Sequence, residues 1–183
     1  MDNKILAICF DFGDTLADEA TEVKDETQTT LRAELIPGAG EILRELKRRG
    51  YRLALVADGR PGTYYNVLSQ HGLYGLFEAF AISELVGVEK PDPRLFTHAL
   101  DQLGIAPKDY GRAIMVGNHL ERDIKGANAL GMISVWLNWS PRRSKIPKDQ
   151  DEAPQWTIRM PAELIGVVEA LEKKLAEREV ESG

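Results

Sequence analysis

The sequence has one cysteine, Cys9, and no apolar stretch near the ~20 residues needed to cross a membrane. A single cysteine excludes an intrachain disulfide framework, and the absence of paired cysteine and histidine spacings excludes a zinc module. A Gly-Lys-Ser/Thr phosphate loop and a complete dinucleotide-binding glycine fingerprint are also missing. Residues 1–4 lack the layout of a signal peptide. We therefore expect a cytoplasmic protein that has no membrane partner.

The chain also lacks the positive charge that nucleic-acid binding requires. It carries 23 Lys and Arg against 29 Asp and Glu, a formal net charge of -6 at pH 7, so no nucleic-acid partner is indicated. Four basic residues between 142 and 148 are followed at once by three acidic residues between 149 and 152. We interpret that segment as a solvated loop. A content of 43% hydrophobic and 28% charged residues is typical of a globular protein. We expect one domain over residues 1–183.

Strand-like and helix-like patterns alternate along the chain, which predicts an α/β fold with a parallel sheet. Helical spacing of apolar residues separates the strand-like segments, as at positions 39, 42, 43 and 46. A short extended segment near 156–159 and a last helix from 162 to about 178 complete the pattern. The five predicted strands lie at about 5–10, 52–57, 80–82, 113–116 and 133–137.

Charged and polar residues follow several of these strands directly. Asp11 and Asp14 end the first apolar run, and Asn118 follows the fourth, with Asp123 five residues further on. Lys90 lies in a proline-containing loop. Because the carboxyl ends of parallel strands meet at one edge of a sheet, we expect these side chains to converge there.

An aspartate after the first strand, a loop lysine and a distal aspartate, in this order, resemble the haloacid dehalogenase-like (HAD) superfamily of hydrolases over about residues 5–137. The resemblance implies a three-layer Rossmann-like fold whose five strands lie in the order 5-4-1-2-3. It implies that Asp11 is the nucleophile and that Lys90 neutralises a phosphorylated substrate. It also implies a magnesium ion held by Asp11, Asp123, Asn118 and the carbonyl of Gly13.

The first motif departs from the family pattern. The family has Asp-x-Asp-Gly-Thr, whereas residues 11–15 read Asp-Phe-Gly-Asp-Thr, with glycine and aspartate exchanged. In the family's phosphatases the second aspartate protonates the leaving group and then activates water, a contribution of typically ~10²–10⁴-fold. Gly13 lacks a side chain for this. Asp14 could replace it only if the turn redirects its side chain.

Two later motifs differ as well. Ala57 occupies the position of a threonine or serine that donates a hydrogen bond to phosphate, and Asp58 adds negative charge beside it. The expected phosphate-binding positions are therefore Ala57, Asp58 and Lys90, with one hydrogen bond missing. Asn118 replaces an aspartate, so one ligand of the metal would be neutral. Together these changes predict an enzyme of low activity.

The connection after the first motif is too short for a cap domain. Residues 17–36 form a short polar loop in the place where many family members insert a helical cap. The site should therefore be open. Open sites in this family serve large substrates or take a lid from a neighbouring subunit, so we expect a small or a larger phosphorylated substrate and a possible homo-oligomer.

Three functions fit these residues. The leading hypothesis is a magnesium-dependent phosphatase that acts through an aspartyl phosphate on Asp11. The alternative is a catalytically weak or inactive binding protein with the HAD fold, which Gly13, Ala57 and Asn118 favour. The third is a haloacid dehalogenase-type hydrolase, whose chemistry requires Asp11 but neither a second acidic residue nor a metal.

Overall fold

The computed structural model describes residues 3–182, and their side chains up to residue 178. The strands, in chain order, are β1 Ala7–Phe10, β2 Val23–Lys24, β3 Thr30–Arg32, β4 Leu53–Ala57, β5 Phe77–Ile82, β6 Ala113–Gly117, β7 Ile133–Leu137 and β8 Trp156–Ile158. The α-helices are α1 Ala39–Arg48, α2 Pro61–Gln70, α3 Ser83–Val86, α4 Pro93–Gln102, α5 Lys125–Ala129 and α6 Leu164–Ser182. Within residues 3–182, no helix is both long and apolar enough to cross a membrane.

Six of these strands form one sheet in the order β5-β4-β1-β6-β7-β8. Each neighbouring pair is parallel. The order of the five predicted strands is confirmed, but the predicted count of five was one short. The sixth strand, β8, pairs Val135 with Trp156 at the edge of the sheet. It has only three residues, and so short a segment carries no periodic pattern that distinguishes a strand from an extended loop.

Helices cover both faces of the sheet, which explains why β1 is apolar at every position. Ile8 and Phe10 belong to the hydrophobic cluster that includes side chains of α1, α2 and α6. Ala7 and Cys9 point the other way and pack in a cluster with side chains of α4 and α5. Because successive side chains of β1 point to opposite faces of the sheet, this strand contributes to the hydrophobic clusters on both faces.

The segment 17–36 is more ordered than the polar loop that we predicted. It contains a 3₁₀ turn at Glu19–Thr21 and the antiparallel hairpin β2–β3. The hairpin is fixed to α2, because the Thr30 amide donates to Thr63 Oγ1 at 3.0 Å and Asn66 Nδ2 donates to the Thr30 carbonyl at 3.0 Å. The hairpin therefore has a defined position beside the carboxyl edge of the sheet.

The chain between β6 and α5 is not a regular α-helix. Leu120–Ile124 forms a π-helical turn, and α5 begins only at Lys125. Such turns widen the helix by one residue and occur frequently at functional sites. This turn carries Asp123.

Gly126 in α5 packs closely against Phe96 in α4. A Cβ atom there would lie 2.3 Å from Phe96 Cε2 and Cζ, and Phe96 is completely buried. We expect Gly126→Ala to lower the free energy of unfolding by about 1–3 kcal/mol, because the buried ring has no space into which it can move. Urea denaturation of both proteins measures the difference.

Gly166→Ala in α6 is the matched control, because no atom lies within 4 Å of the added Cβ. A helical alanine there should be neutral or stabilising by up to about 1 kcal/mol. Equal losses of stability in the two variants would contradict the tight packing of α4 against α5.

Candidate active site

A cavity of about 470 Å³ opens at the carboxyl edge of the sheet. Asp11 follows β1, Asp58 follows β4 and Asn118 follows β6, and all three line it. Of the side chains expected to converge here, Asp11, Lys90, Asn118 and Asp123 line the cavity and Asp14 does not. The remaining lining residues are Phe12, Gly13, Glu19, Glu22, Lys24, Gln28, Thr30, Gly59, Arg60, Thr63, Tyr64, His119, Arg122 and Arg143.

Lys90 lies at the centre of the site, between two carboxylates. Its Nζ is 2.6 Å from Asp11 Oδ1 and 2.7 Å from Asp123 Oδ1, and it donates to the Val56 carbonyl at 3.0 Å. Burial alone would lower the pKa of Lys90, but the charges of Asp11 and Asp123 outweigh burial and raise that pKa above its ordinary value. The ammonium group is therefore charged at neutral pH.

Asp123 is completely buried in the π-helical turn. Its Oδ2 accepts a hydrogen bond from the His119 amide at 2.9 Å. Its Oδ1 forms the ion pair with Lys90 but has no well-directed hydrogen bond. Burial and the nearby charge of Asp11 raise the pKa of Asp123 to about 7. Asp123 is thus a buried carboxylate whose charge is only partly compensated.

The second carboxylate oxygen of Asp11 is held by two neutral donors. Thr15 Oγ1 donates to Asp11 Oδ2 at 2.9 Å, and Asn118 Nδ2 donates to the same atom at 3.0 Å. Asn118 Nδ2 also contacts the Gly13 carbonyl, while its Oδ1 accepts from Arg143 Nε at 3.1 Å. In this orientation Asn118 Nδ2 faces the site and Oδ1 faces Arg143, and the metal-ligand role of Asn118 stays a prediction.

Of the predicted phosphate-binding positions, Asp58 and Lys90 line the cavity and Ala57 is buried at the end of β4. The predicted excess charge of Asp58 is compensated. Its Oδ1 accepts from the Lys90 amide at 2.9 Å, and its Oδ2 accepts from Arg122 Nη1 at 3.1 Å. Asp58 therefore fixes the loop that carries Lys90.

Asp14 points away from the cavity. Its φ of 54° is in the left-handed region, which aspartate tolerates better than most residues other than glycine. Its Oδ2 accepts from Ser140 Oγ at 2.7 Å and from Arg142 Nε at 3.0 Å. Burial would raise the pKa of Asp14, but these hydrogen bonds outweigh it and lower the pKa. Asp14 is an anchor for the loop after β7 and does not replace the acid that is missing at Gly13.

Sequence reasoning missed several residues that line the cavity, among them Glu19 and Arg143. Arg143 Nη2 donates to both carboxylate oxygens of Glu19, at 2.7 and 2.8 Å. Burial raises the pKa of Glu19 and the charge of Arg143 opposes this, with a net increase. The basic segment that we interpreted as a solvated loop thus contacts the site, because Arg142 pairs with Asp14 of the first motif and Arg143 pairs with Glu19. No local pattern indicates this, because the contacts join residues 124 or more positions apart.

The oxygen atoms at the site fit a magnesium ion. In the part of the chain that the structure describes, no group of three or more His, Cys, Asp and Glu could hold a metal ion. Magnesium, however, usually takes only one or two protein carboxylates and completes its shell with water and phosphate. Asp11, Asp123 and the Gly13 carbonyl are such donors, and Asp123 Oδ1 lacks a hydrogen bond. These three residues would hold the ion.

Comparison with known proteins gives the family. Residues 19–131 match the model for haloacid dehalogenase-like hydrolase, which covers more than half of the chain. The protein therefore belongs to the haloacid dehalogenase-like hydrolases, as the resemblance of its motifs implies.

Two similar proteins are named as phosphatases. The chain is 35% identical over 131 residues to glyceraldehyde 3-phosphate phosphatase of Methanopyrus kandleri, covering 72% of this chain and 55% of that protein. It is 39% identical over 127 residues to phosphoserine phosphatase of Thermus thermophilus, covering 69% and 48%. The chain thus spans about half the length of these relatives. A HAD phosphatase structure from Thermococcus onnurineus superposes with a TM-score of 0.64 at 29% identity, covering 74% of this chain and 59% of that one.

Proposed function

We propose that this protein is a magnesium-dependent phosphatase in which Asp11 forms an aspartyl phosphate. The observation that carries the proposal is the Lys90 ammonium between the carboxylates of Asp11 and Asp123, at 2.6 and 2.7 Å, beside an open cavity. A carboxylate that attacks a phosphate dianion must overcome charge repulsion, and a fixed cation beside it lowers that repulsion.

The residues around Asp11 prepare it for this attack. Hydrogen bonds from Thr15 and Asn118 fix the carboxylate, so the reaction needs little reorganisation of the site. Lys90 compensates the charge of the carboxylate and of the incoming phosphate. Arg60 and Arg122 also line the cavity, and their charges are partly compensated by ion pairs with Glu84 and Asp58. When bound, magnesium would add charge neutralisation between the carboxylates and the phosphate.

We propose that the substrate is an alkyl phosphate, since the relatives are named for glyceraldehyde 3-phosphate and phosphoserine. Its organic part would contact the hairpin β2–β3, which contributes Lys24 and Thr30 to the lining of the cavity. The Glu22 carboxylate, in an ion pair of 2.8 Å with Lys24, is also at this wall. These polar side chains favour a hydrophilic substrate.

The test is phosphate release from acetyl phosphate, para-nitrophenyl phosphate, phosphoserine and glyceraldehyde 3-phosphate. We expect turnover with magnesium, a loss of at least about tenfold after chelation, and recovery when magnesium is added back. No turnover on any substrate would favour the alternative of an inactive binding protein. Turnover of a haloacid that survives chelation would favour dehalogenase chemistry instead.

A further inference from the structure

Glu19 occupies the space that a side chain at position 13 would fill. A Cβ atom built on Gly13 would lie 2.3 Å from Glu19 Oε1 and 3.0 Å from Glu19 Cδ and Cγ. Contacts under 3.0 Å are essentially never made by real Cβ atoms. A side chain at position 13 and the Glu19 carboxylate therefore cannot occupy this space together.

The Glu19 side chain is held in this place by other residues. Arg143 Nη2 donates to both of its oxygens, at 2.7 and 2.8 Å. The Glu19 amide donates to Asp14 Oδ1 at 3.2 Å, which fixes the 3₁₀ turn against the first motif. The side chain is 33% exposed and lines the same cavity as Asp11. It is thus a positioned carboxyl group with access to the site.

We propose that Glu19 makes the proton transfers for which Gly13 has no side chain. This inference rests on the proposed function. As Asp11 bonds to phosphorus and the bond to the ester oxygen breaks, Glu19 gives its proton to the departing alkoxide. Glu19 then takes a proton from water, whose oxygen bonds to phosphorus while the bond to Asp11 breaks. Inorganic phosphate leaves, and Glu19 is protonated again. Arg143 is a positioning residue that aligns the carboxyl group.

The first test compares leaving groups in Glu19→Gln. We expect kcat/KM for 2-glycerophosphate, whose alkoxide needs a proton, to fall by about 10²-fold or more. The value for para-nitrophenyl phosphate, whose leaving group needs little protonation, should fall much less. A burst of para-nitrophenol is also expected, because loss of the base slows hydrolysis of the aspartyl phosphate. A merely structural role would lower kcat/KM for both substrates equally. Glu34→Gln, at an exposed position outside the cavity lining, is the control.

The second test moves the carboxyl group to position 13. Gly13→Asp alone should lower activity, because the new side chain displaces Glu19. The double variant with Gly13→Asp and Glu19→Ala should be at least tenfold more active on 2-glycerophosphate than Glu19→Ala alone. Circular dichroism confirms that each variant folds.

The outcomes separate the two proposals. An active wild type with an unaffected Glu19→Gln, or equal losses on both leaving groups, would overturn the role of Glu19 and leave the phosphatase intact. A wild type no faster than Asp11→Asn would overturn both. If Gly13→Asp raised the activity whether or not Glu19 were present, the inferred overlap of the two side chains would be wrong.

Discussion

Asp11→Asn is expected to lower magnesium-dependent phosphate release by about 10³-fold or more, the scale of loss seen when a nucleophile is removed. Asparagine keeps the shape of the side chain and an oxygen that accepts from Lys90, but its neutral amide does not attack phosphorus. Lys90 retains its contact with Asp123, so the fold should survive. Phosphate release at saturating magnesium, with thermal unfolding as a check on folding, measures the effect.

Asp101→Asn is the matched control for that substitution. Asp101 is exposed in the last turn of α4 and does not line the cavity. Its replacement should change turnover by less than about twofold, since exposed residues away from special features have small effects. Equal activity of wild type, Asp11→Asn and Asp101→Asn would mean that any phosphate release comes from a contaminant or from another group.

Lys90→Met is expected to have the largest effect on stability. Methionine has a similar length and fills the buried space, but it leaves Asp11 and the buried Asp123 facing each other without a cation. Removal of one partner from a buried ion pair costs about 3–5 kcal/mol. Turnover should also fall by at least about 10²-fold, since the charge that offsets phosphate repulsion is lost. Urea denaturation in magnesium-free buffer measures the change in stability.

Two further variants make the result specific. Lys108→Met, at an exposed position, should change the free energy of unfolding by less than about 0.5 kcal/mol. Adding Asp123→Asn to Lys90→Met should recover part of the lost stability, because one uncompensated carboxylate is removed. If Lys90→Met cost no more than Lys108→Met, the ion pair at the centre of the site would contribute nothing to the fold.

The elements that could be predicted are those with a repeating or local pattern. The five longer strands followed from apolar runs and their order from the resemblance to the HAD superfamily, and the structure confirms both. The hairpin β2–β3 and the π-helical turn at Leu120–Ile124 were missed, and the three-residue β8 was predicted as an extended segment but not as a strand of the sheet. Each is so short or so irregular that its residues show no period, and each is stabilised by contacts with other parts of the chain.

The candidate site, too, contains some residues that could be predicted from the sequence and others that could not. Asp11 was predicted because it directly follows a recognisable strand, and Lys90 and Asp123 because their order after it resembles the family's motifs. Glu19 and Arg143 were not, because their contact joins residues 124 positions apart. Neither residue belongs to a local pattern that indicates a partner.

The sequence by itself determined that a parallel sheet carries an aspartate and a lysine at its carboxyl edge, because apolar periodicity and strand ends are local properties of the chain. Only the tertiary structure decided what the exchange of glycine and aspartate in the first motif means. Asp14 takes the left-handed turn and pairs with Arg142, while Gly13 leaves space that Glu19 fills. Which carboxylate enters that space depends on how the loop after β7 packs against the 3₁₀ turn, and this packing follows from contacts between distant residues.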